Sequence, residues 1–136
     1  MNKFKYSKTS LKRLDTCHDD LIIICETVLD ISPIDITVIC GHRKKEDQNK
    51  AFTKGFSRAP WPKSAHNQLP SKAVDLAPYV NGYIKWNDIK KLYLIAGLVL
   101  GVSMNPYIEV KWGGAWHGTL NVPHEFNDLY HFELIV

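Results

Sequence analysis

One carboxylate within an apolar strand constrains the fold of this chain more than any other feature of its sequence. Residues 73–77 have the sequence Ala-Val-Asp-Leu-Ala and are predicted to form a strand, in which Val74 and Leu76 point to the face opposite Asp75. A carboxylate in such a strand costs free energy unless it is paired with a cation or bound to a metal ion. The fold must therefore bring either a lysine or a metal site to Asp75.

The apolar periodicity of the rest of the chain predicts an α+β domain, with a small, mostly antiparallel sheet and helices packed against it. Predicted helices cover residues 11–29, as one long helix capped by Ser10 or two helices with a break before Asp19, residues 44–53, and residues 87–100 with Asn87 as the cap. Predicted strands cover residues 36–40, 73–77, 109–112 and 130–136, and Asn81-Gly82 predicts a hairpin turn. Long loops remain at 56–72 and 113–127, and such loops are often functional.

The composition is that of one ordinary globular domain. The length is 136 residues, and the net charge of +3 comes from scattered lysines, which argues against a nucleic-acid-binding protein. No apolar segment is long enough for a membrane span or a signal peptide, and the three cysteines lack C-x-x-C spacing. We therefore expect a monomer with reduced thiols, in the cytoplasm and without stable membrane association.

Two histidines and a second carboxylate are candidates for a metal site with Asp75. His66 lies in the long loop before the Asp75 strand, and His131 lies in the terminal strand with Asp128 three residues before it. Two imidazoles and one carboxylate, with an open fourth position, are typical ligands of a catalytic zinc ion. The same spacing is compatible with a hydrogen-bonded structural role for each histidine, with a lysine partner for Asp75, and with a turn cap at Asp128.

Three blocks of sequence carry a resemblance to a known family: S-A-H at residues 64–66, A-V-D-L-A-P-Y at 73–79 and D-L-Y-H-F-E-L at 128–134. The similarity extends to G-H-R at 41–43 with Gln48, to A-F-T-K-G at 51–55 and to K-W-G-G-A-W at 111–116. Residues 32–136 therefore resemble, in the right order, the D-alanyl-D-alanine carboxypeptidase family of zinc peptidases, which implies a hedgehog-like fold. Within that family they are most similar to the short phage endolysins that are L-alanyl-D-glutamate endopeptidases.

The resemblance implies a Zn²⁺ ion with three protein ligands, His66, Asp75 and His131. Zinc lowers the pKa of a bound water toward about 7. The resemblance makes Asp128 the catalytic base, which would take the proton of that water and pass it to the leaving amine. His117 and His124, in the second long loop, are the rival ligands.

Four further residues take expected roles from the resemblance or from their position. Arg43 is implied to stabilise developing negative charge and, together with Gln48 and Trp116, to bind substrate; core packing is the alternative for Trp116. Glu133 is expected either to orient the imidazole of His131 or to form a salt bridge in the sheet. The family has a shorter gap, with a glycine, after its first histidine, so the shape of the loop at 67–72 is open.

These assignments predict a zinc-dependent peptidoglycan endopeptidase that cleaves a stem-peptide bond, L-alanyl-D-glutamate, for host cell lysis. Residues 1–136 would form one catalytic domain with no separate wall-binding domain. The alternatives are a D,D-carboxypeptidase or D-Ala-D-Ala dipeptidase of the same family, and a non-enzymatic peptidoglycan-binding or structural phage protein. Without a signal peptide, the chain is expected to stay in the host cytoplasm until a holin-like pore-forming protein opens the membrane.

Overall fold

The structure, a computed structural model, describes residues 4–116 and 128–135. These residues contain four α-helices, one short 3₁₀ helix and five strands. In chain order they are α1 (Lys8–Leu14), α2 (Asp19–Ile31), β1 (Ile36–Cys40), α3 (Lys45–Thr53), the 3₁₀ helix (Ala65–Asn67), β2 (Ala73–Val80), β3 (Tyr83–Ile84), α4 (Ile89–Val102), β4 (Val110–Trp112) and β5 (His131–Leu134). The predicted α+β class is confirmed.

The strands form one sheet in which every pair is antiparallel. The strand order is β1-β2-β5-β4, and β3 pairs with the far end of β2. In this register Asp75 of β2 lies opposite Cys40 of β1 on one side and His131 of β5 on the other. Directly paired residues share a face of the sheet, so these three side chains lie on the same face.

The opposite face of the sheet forms the hydrophobic core. Val74 and Leu76 are 1% exposed and Phe132, opposite Val74, is fully buried. Helix α4 packs against β2, and α2 packs against α4, so that Ile24 and Ile95 belong to the same buried cluster. The predicted alternation in β2 is therefore confirmed, and it leaves the other face free for polar side chains.

The long helical pattern near the N-terminus divides into α1 and α2. The prediction of Ser10 as the N-cap is wrong, because Ser7 caps α1 by accepting a hydrogen bond from the Ser10 backbone N–H. Ser10 instead lies buried within the helix, and its hydroxyl contacts Thr37 Oγ1 at 3.0 Å and accepts from the Val38 N–H at 3.0 Å. The serine therefore joins α1 to β1, a tertiary role that periodicity does not reveal.

The boundaries of α4 also differ from the prediction. Asp88, not Asn87, caps the helix, because its side chain accepts from the Lys91 backbone N–H at 3.2 Å. The helix then continues through Gly101 to Val102. The predicted hairpin between β2 and β3 is confirmed: Asn81 and Gly82 both have positive φ, 51° and 83°, as a two-residue turn of this kind requires.

No helix within residues 4–116 or 128–135 is long and apolar enough to cross a membrane.

Candidate active site

Three potential metal-ligating atoms meet on the sheet face that carries Asp75. His66 Nε2 lies 3.0 Å from Asp75 Oδ1, His131 Nδ1 lies 3.1 Å from the same oxygen, and the two nitrogens are 3.1 Å apart. All three residues are buried, with exposed fractions of 2% for His66, 8% for Asp75 and 6% for His131. The structure thus brings together the residues that the sequence predicted for a metal site.

A hydrogen bond on the outer side of each imidazole determines which of its two nitrogens carries the proton. The other nitrogen then directs its lone pair toward Asp75. His66 Nδ1 lies 2.7 Å from the carbonyl oxygen of Gly41, which can only accept, so Nδ1 carries the proton. His131 Nε2 likewise donates to Glu133 Oε1 at 2.7 Å. In the neutral imidazoles, His66 Nε2 and His131 Nδ1 are therefore both unprotonated and directed at each other and at Asp75. Glu133 takes the predicted position beside His131.

The carboxylates of Asp75 and Glu133 strongly favour positive charge at the place where the two imidazoles and Asp75 converge. Burial lowers the pKa of His66, but the charge of Asp75 outweighs burial and raises that pKa to about 10. Burial also lowers the pKa of His131, whereas hydrogen bonds to Asp75 and Glu133 raise it to about 9. Burial raises the pKa of Asp75, and the two histidines hold it well below its usual range. Protons or a metal ion must supply the positive charge that these side chains favour.

The three atoms fit a zinc ion. Zinc–nitrogen and zinc–oxygen bonds of about 2.0–2.1 Å in a tetrahedron place neighbouring ligand atoms about 3.3 Å apart. The observed separations of 3.0–3.1 Å are close to that value. The donor set of two nitrogens and one oxygen is that of catalytic zinc sites, which keep a fourth position open for water or substrate. Each imidazole also has the outer hydrogen bond that fixes ligating histidines in metal sites.

Asp128 lies beside this cluster, at the turn that enters β5. Ligand atoms of Asp128, Asp75 and His131 lie within 4.8 Å of one another. Burial and the charge of Asp75 raise the pKa of Asp128 to about 6. A carboxyl group with a pKa near neutrality exchanges protons readily at physiological pH, as a general base and acid must.

Gly113 allows Asp128 to approach the site. The Asp128 N–H donates to Gly113 O at 3.0 Å, and the Gly113 N–H donates to His131 O at 2.8 Å. A Cβ atom at Gly113 would collide with the Asp128 backbone carbonyl. The close approach of the Asp128 backbone therefore requires a glycine at position 113, the first glycine of the K-W-G-G-A-W block. Its place in the sequence did not indicate this requirement.

Arg43 reaches the cluster from the end of β1. Its Nη2 atom lies 3.5 Å from Asp75 Oδ2, the carboxylate oxygen that the histidines do not use. Its backbone N–H donates to His66 O at 2.8 Å, and its Nη1 atom donates to Gln48 Oε1 at 3.0 Å. The guanidinium is thus held beside the three converging atoms, and its side chain remains 18% exposed.

The structure does not place Gln48 where it could touch a substrate. Its side chain is fully buried, with an exposed fraction of 0%. Its oxygen accepts from Arg43 and from Asn67 Nδ2, at 3.0 and 3.1 Å, and its amide group donates to Ser57 Oγ at 2.9 Å and Ala59 O at 2.6 Å. The expected direct contact with substrate is therefore corrected: Gln48 contacts only protein groups, among them Arg43.

Asn67 is a site residue that the sequence analysis missed. It ends the 3₁₀ helix that carries His66, and it completes a capping box with Ser64, whose backbone N–H donates to Asn67 Oδ1 at 3.0 Å. Its Nδ2 atom donates to Arg43 O as well as to Gln48. One buried amide therefore joins the His66 helix to Arg43 and Gln48. The S-x-x-N spacing at 64–67 was the available signal.

The loop at 67–72, whose shape the sequence left open, is attached to the α1–α2 turn. The Ser71 N–H donates to Thr16 O at 2.7 Å, and the His18 N–H donates to Ser71 O at 2.8 Å. The Ser71 hydroxyl donates to Ala73 O at 2.7 Å. These bonds return the chain from His66 to the start of β2 without a glycine.

Gly41 and Cys40 also contact the site without having been predicted to do so. Gly41 provides the carbonyl that receives the His66 Nδ1 proton, and a Cβ atom there would collide with Arg13 O and lie 2.6 Å from Thr16 Oγ1. Cys40 Sγ lies within 4.8 Å of ligand atoms of His66 and Asp75. Cys40 ends β1 opposite Asp75, a register that only strand pairing reveals.

The two tryptophans near β4 have different environments. Trp112 is 5% exposed and belongs to the core. Trp116 is half-buried, and its ring centroid lies 5.3 Å from that of His131. The rival ligands His117 and His124 lie outside the described residues.

Comparisons with known proteins identify the family of this chain. The family described as phage L-alanyl-D-glutamate peptidase matches residues 2–135. The chain is 35% identical over 124 residues to the L-alanyl-D-glutamate peptidase of Escherichia phage T5, which covers 85% of this chain and 84% of that protein. It resembles the crystal structure of the Serratia marcescens L-Ala D-Glu endopeptidase ChiX with a TM-score of 0.77 and 26% identity, over 96% of this chain and 90% of that one. The chain belongs to the phage L-alanyl-D-glutamate peptidase family.

Proposed function

We propose that this chain is a zinc-dependent peptidoglycan endopeptidase, a phage endolysin that hydrolyses the L-alanyl-D-glutamate bond of stem peptides. Membership of the family supports the peptidase activity and the bond. The observation that carries the metal is the convergence of His66 Nε2, His131 Nδ1 and Asp75 Oδ1 within 3.1 Å of one another. Residues 1–136 then form one catalytic domain.

Zinc held by these ligands would polarise the peptide carbonyl and lower the pKa of water at the open position toward about 7. Asp128 accepts the proton of the attacking water and delivers it to the amine of the departing D-glutamate. Its raised pKa, about 6, suits both steps, because the carboxylate is largely ionised at neutral pH and still binds a proton readily.

Arg43 has a separate part in the proposal. Its guanidinium lies beside Asp75 with part of its surface exposed, so it can also reach a negatively charged group of the substrate. The D-glutamate residue carries one free carboxylate, and negative charge develops on the carbonyl oxygen during attack; either is a suitable partner for a fixed guanidinium. Gln48 and Asn67 hold Arg43 in place from behind, and Trp116 forms a wall beside His131.

The compartment and its change at lysis also belong to the proposal. All three cysteines are unpaired, and two of them, Cys17 and Cys25, are buried in the core. Unpaired thiols suit a reducing compartment. The chain would accumulate in the host cytoplasm as a monomer and act on the wall after a holin-like protein opens the membrane.

The zinc assignment predicts the metal content of histidine variants. His66→Ala and His131→Ala should each lose the ion, because two remaining ligands do not hold zinc against exchange. His18→Asn is the matched control, since His18 caps α2 through its side chain and asparagine preserves that cap. Elemental analysis after gel filtration should give about one zinc per chain in the wild type and the control. Full occupancy in both alanine variants would contradict the assignment and direct attention to His117 and His124.

The role of Asp128 predicts a loss of activity without a loss of metal. Asp128→Asn should keep its zinc and its melting temperature but lyse peptidoglycan about 10²–10⁴ times more slowly, the range for removal of a general base. Asp30→Asn, on the exposed side of α2, is the control. Turbidity of a peptidoglycan suspension measures the rate. A variant as fast as the wild type would place the base elsewhere, with Glu133 as the next residue to change.

The positioning role of Gln48 predicts an effect on stability that a surface substrate contact would not have. Gln48→Ala leaves buried donors of Arg43 and Asn67 without their acceptor, which should lower the free energy of unfolding by about 1–3 kcal/mol. Gln68→Ala, at an exposed side chain, should change it by less than about 0.5 kcal/mol. Urea denaturation followed by circular dichroism compares them. If the two variants were equally stable and only Gln48→Ala had a higher KM, the prediction that Gln48 contacts the substrate directly would be restored.

The proposed dependence on a pore predicts how expressing cells behave. Expression in a bacterium with a susceptible wall should leave the culture density unchanged, and permeabilising the membrane with chloroform should then cause rapid lysis. Cells that express the Asp128→Asn protein should survive the same treatment for much longer. Lysis before treatment, in cells whose membrane still excludes a dye, would mean that the chain crosses the membrane without a pore.

A further inference from the structure

An exposed lysine stands on the same face of the sheet as the converging histidines. Lys111 of β4 pairs directly with Glu133 of β5, so the two side chains share a face. The carboxylate of Glu133 accepts from His131 Nε2 at 2.7 Å, which places that face beside the cluster. Among the residues that the structure describes, the ammonium of Lys111 has no carboxylate partner and interacts with the ring of Trp116.

The position of Trp116 limits the distance between this ammonium and the cluster. Lys111 Nζ lies 5.9 Å from the centroid of the Trp116 ring, and the ring centroids of Trp116 and His131 are 5.3 Å apart. The ammonium therefore lies no more than about 11 Å from the centre of the His131 ring. The attraction between an exposed ammonium and an aromatic ring is weak, so an anion can take its place.

Lys111 and Arg43 lie on opposite sides of the cluster. The strand order is β1-β2-β5-β4, in which β2 carries Asp75 and β5 carries His131. Arg43 follows β1 and Lys111 lies on β4, so the two ligand-bearing strands separate the two cations. A substrate whose scissile carbonyl lies at the cluster therefore has one cation on each side, and the two cations can bind different groups.

The position of Asp128 indicates which end of the substrate lies beside Lys111. In the proposed function Asp128 delivers a proton to the amine of the departing D-glutamate, so that amine must lie next to it. The Asp128 N–H donates to Gly113 O at 3.0 Å, and Gly113 follows β4, two residues after Lys111. The Gly113 N–H in turn donates to His131 O at 2.8 Å. The departing D-glutamate thus lies on the β4 side of His131, which is the side of Lys111.

We propose that Lys111 binds the free carboxylate of the departing D-glutamate and makes the enzyme selective for that residue in its acidic form. The proposal rests on the proposed function for the identity of the substrate. An ammonium and a carboxylate form a charge-assisted hydrogen bond, which is roughly twice as strong as a neutral one. Arg43, on the other side of the cluster, is then left to stabilise the negative charge that develops on the carbonyl oxygen.

The dimensions of the substrate agree with this assignment. In the stem peptide D-glutamate is joined to the next residue through its side-chain carboxyl group, so its α-carboxylate is free and lies one residue beyond the scissile carbonyl. That step is about 3.6 Å, and an ammonium contacts a carboxylate oxygen at about 2.8 Å. Both lengths fit within the limit that Trp116 sets, and the flexible stem of Lys111 can adjust the position of its ammonium.

Two muramoyl tripeptides that differ only in this carboxylate test the assignment. One contains D-glutamate, and the other contains D-isoglutamine, in which an amide replaces the α-carboxylate and removes its charge. The zinc-loaded wild type should have a kcat/KM at least about tenfold higher for the acid, because the amide offers only a neutral hydrogen bond. Lys111→Met, which keeps an unbranched stem, should bring the two values to within about twofold of each other. Lys111→Arg, which keeps the charge, should retain most of the preference. Chromatography of the released peptides measures the rates.

Lys90→Gln is the matched control, because it removes one exposed lysine charge from α4, the helix that packs on the other face of β2. It should keep the wild-type preference for the acid. A wild type that cleaves both tripeptides equally well would overturn the proposal. A Lys111→Met variant that loses the same factor on both would also overturn it, since that result indicates a structural role or a contact with another group.

Binding without cleavage keeps this proposal distinct from the proposed function. Isothermal titration calorimetry of the zinc-loaded Asp128→Asn protein should give a lower Kd for the acid than for the amide, and adding Lys111→Met should remove the difference. That result would support the role of Lys111 even if the wild type cleaved neither tripeptide, in which case the proposed function alone would fail. Equal Kd values for the two tripeptides would overturn the role of Lys111 even if both were cleaved.

Discussion

The mutual approach of two imidazole nitrogens and one carboxylate oxygen is the interaction on which the rest of the site depends. Neutral imidazoles would turn two lone pairs toward each other beside a negative charge, an arrangement that is favourable only with a cation between them. The carbonyl of Gly41 and the carboxylate of Glu133 direct both lone pairs inward. The surrounding fold therefore holds the side chains ready for a metal ion, which then need not reorganise them.

The antiparallel sheet makes this approach possible at little cost. Strand β2 is the only described strand that pairs with β1, β3 and β5, so its residues are fixed from both sides. Asp75 uses one face while Val74 and Leu76 bury the other in the core, where apolar burial stabilises the strand that holds the charge. Close packing at Gly113 and a buried amide at Asn67 then bring Asp128 and the His66 helix to the same place. Stability and the site thus rely on the same strand.

Much of the local structure could be predicted because it depends on short stretches of sequence. The strand at 36–40, the Asn-Gly hairpin and the α3 helix all agree with the prediction. Predictions were wrong where a tertiary contact outweighed a local preference. Ser10 bonds to β1 instead of capping a helix, and Gln48 is buried, where it holds Arg43 instead of facing a substrate. Asn67 was missed because its partners are 19 and 24 residues away in the chain.

The sequence by itself determined the secondary-structure classes and the residue types that can bind a metal, because periodicity and side-chain chemistry are local properties. It also determined that Asp75 needs a positive partner, since no apolar strand tolerates a lone carboxylate. Only the tertiary structure decided which partners it has. The register of β2 with β5 brings His131 to Asp75 across 56 residues, and the loop that returns from His66 is attached through Ser71 to a turn far earlier in the chain. Strand register and loop attachment arise from long-range packing, which the local pattern of residues does not contain.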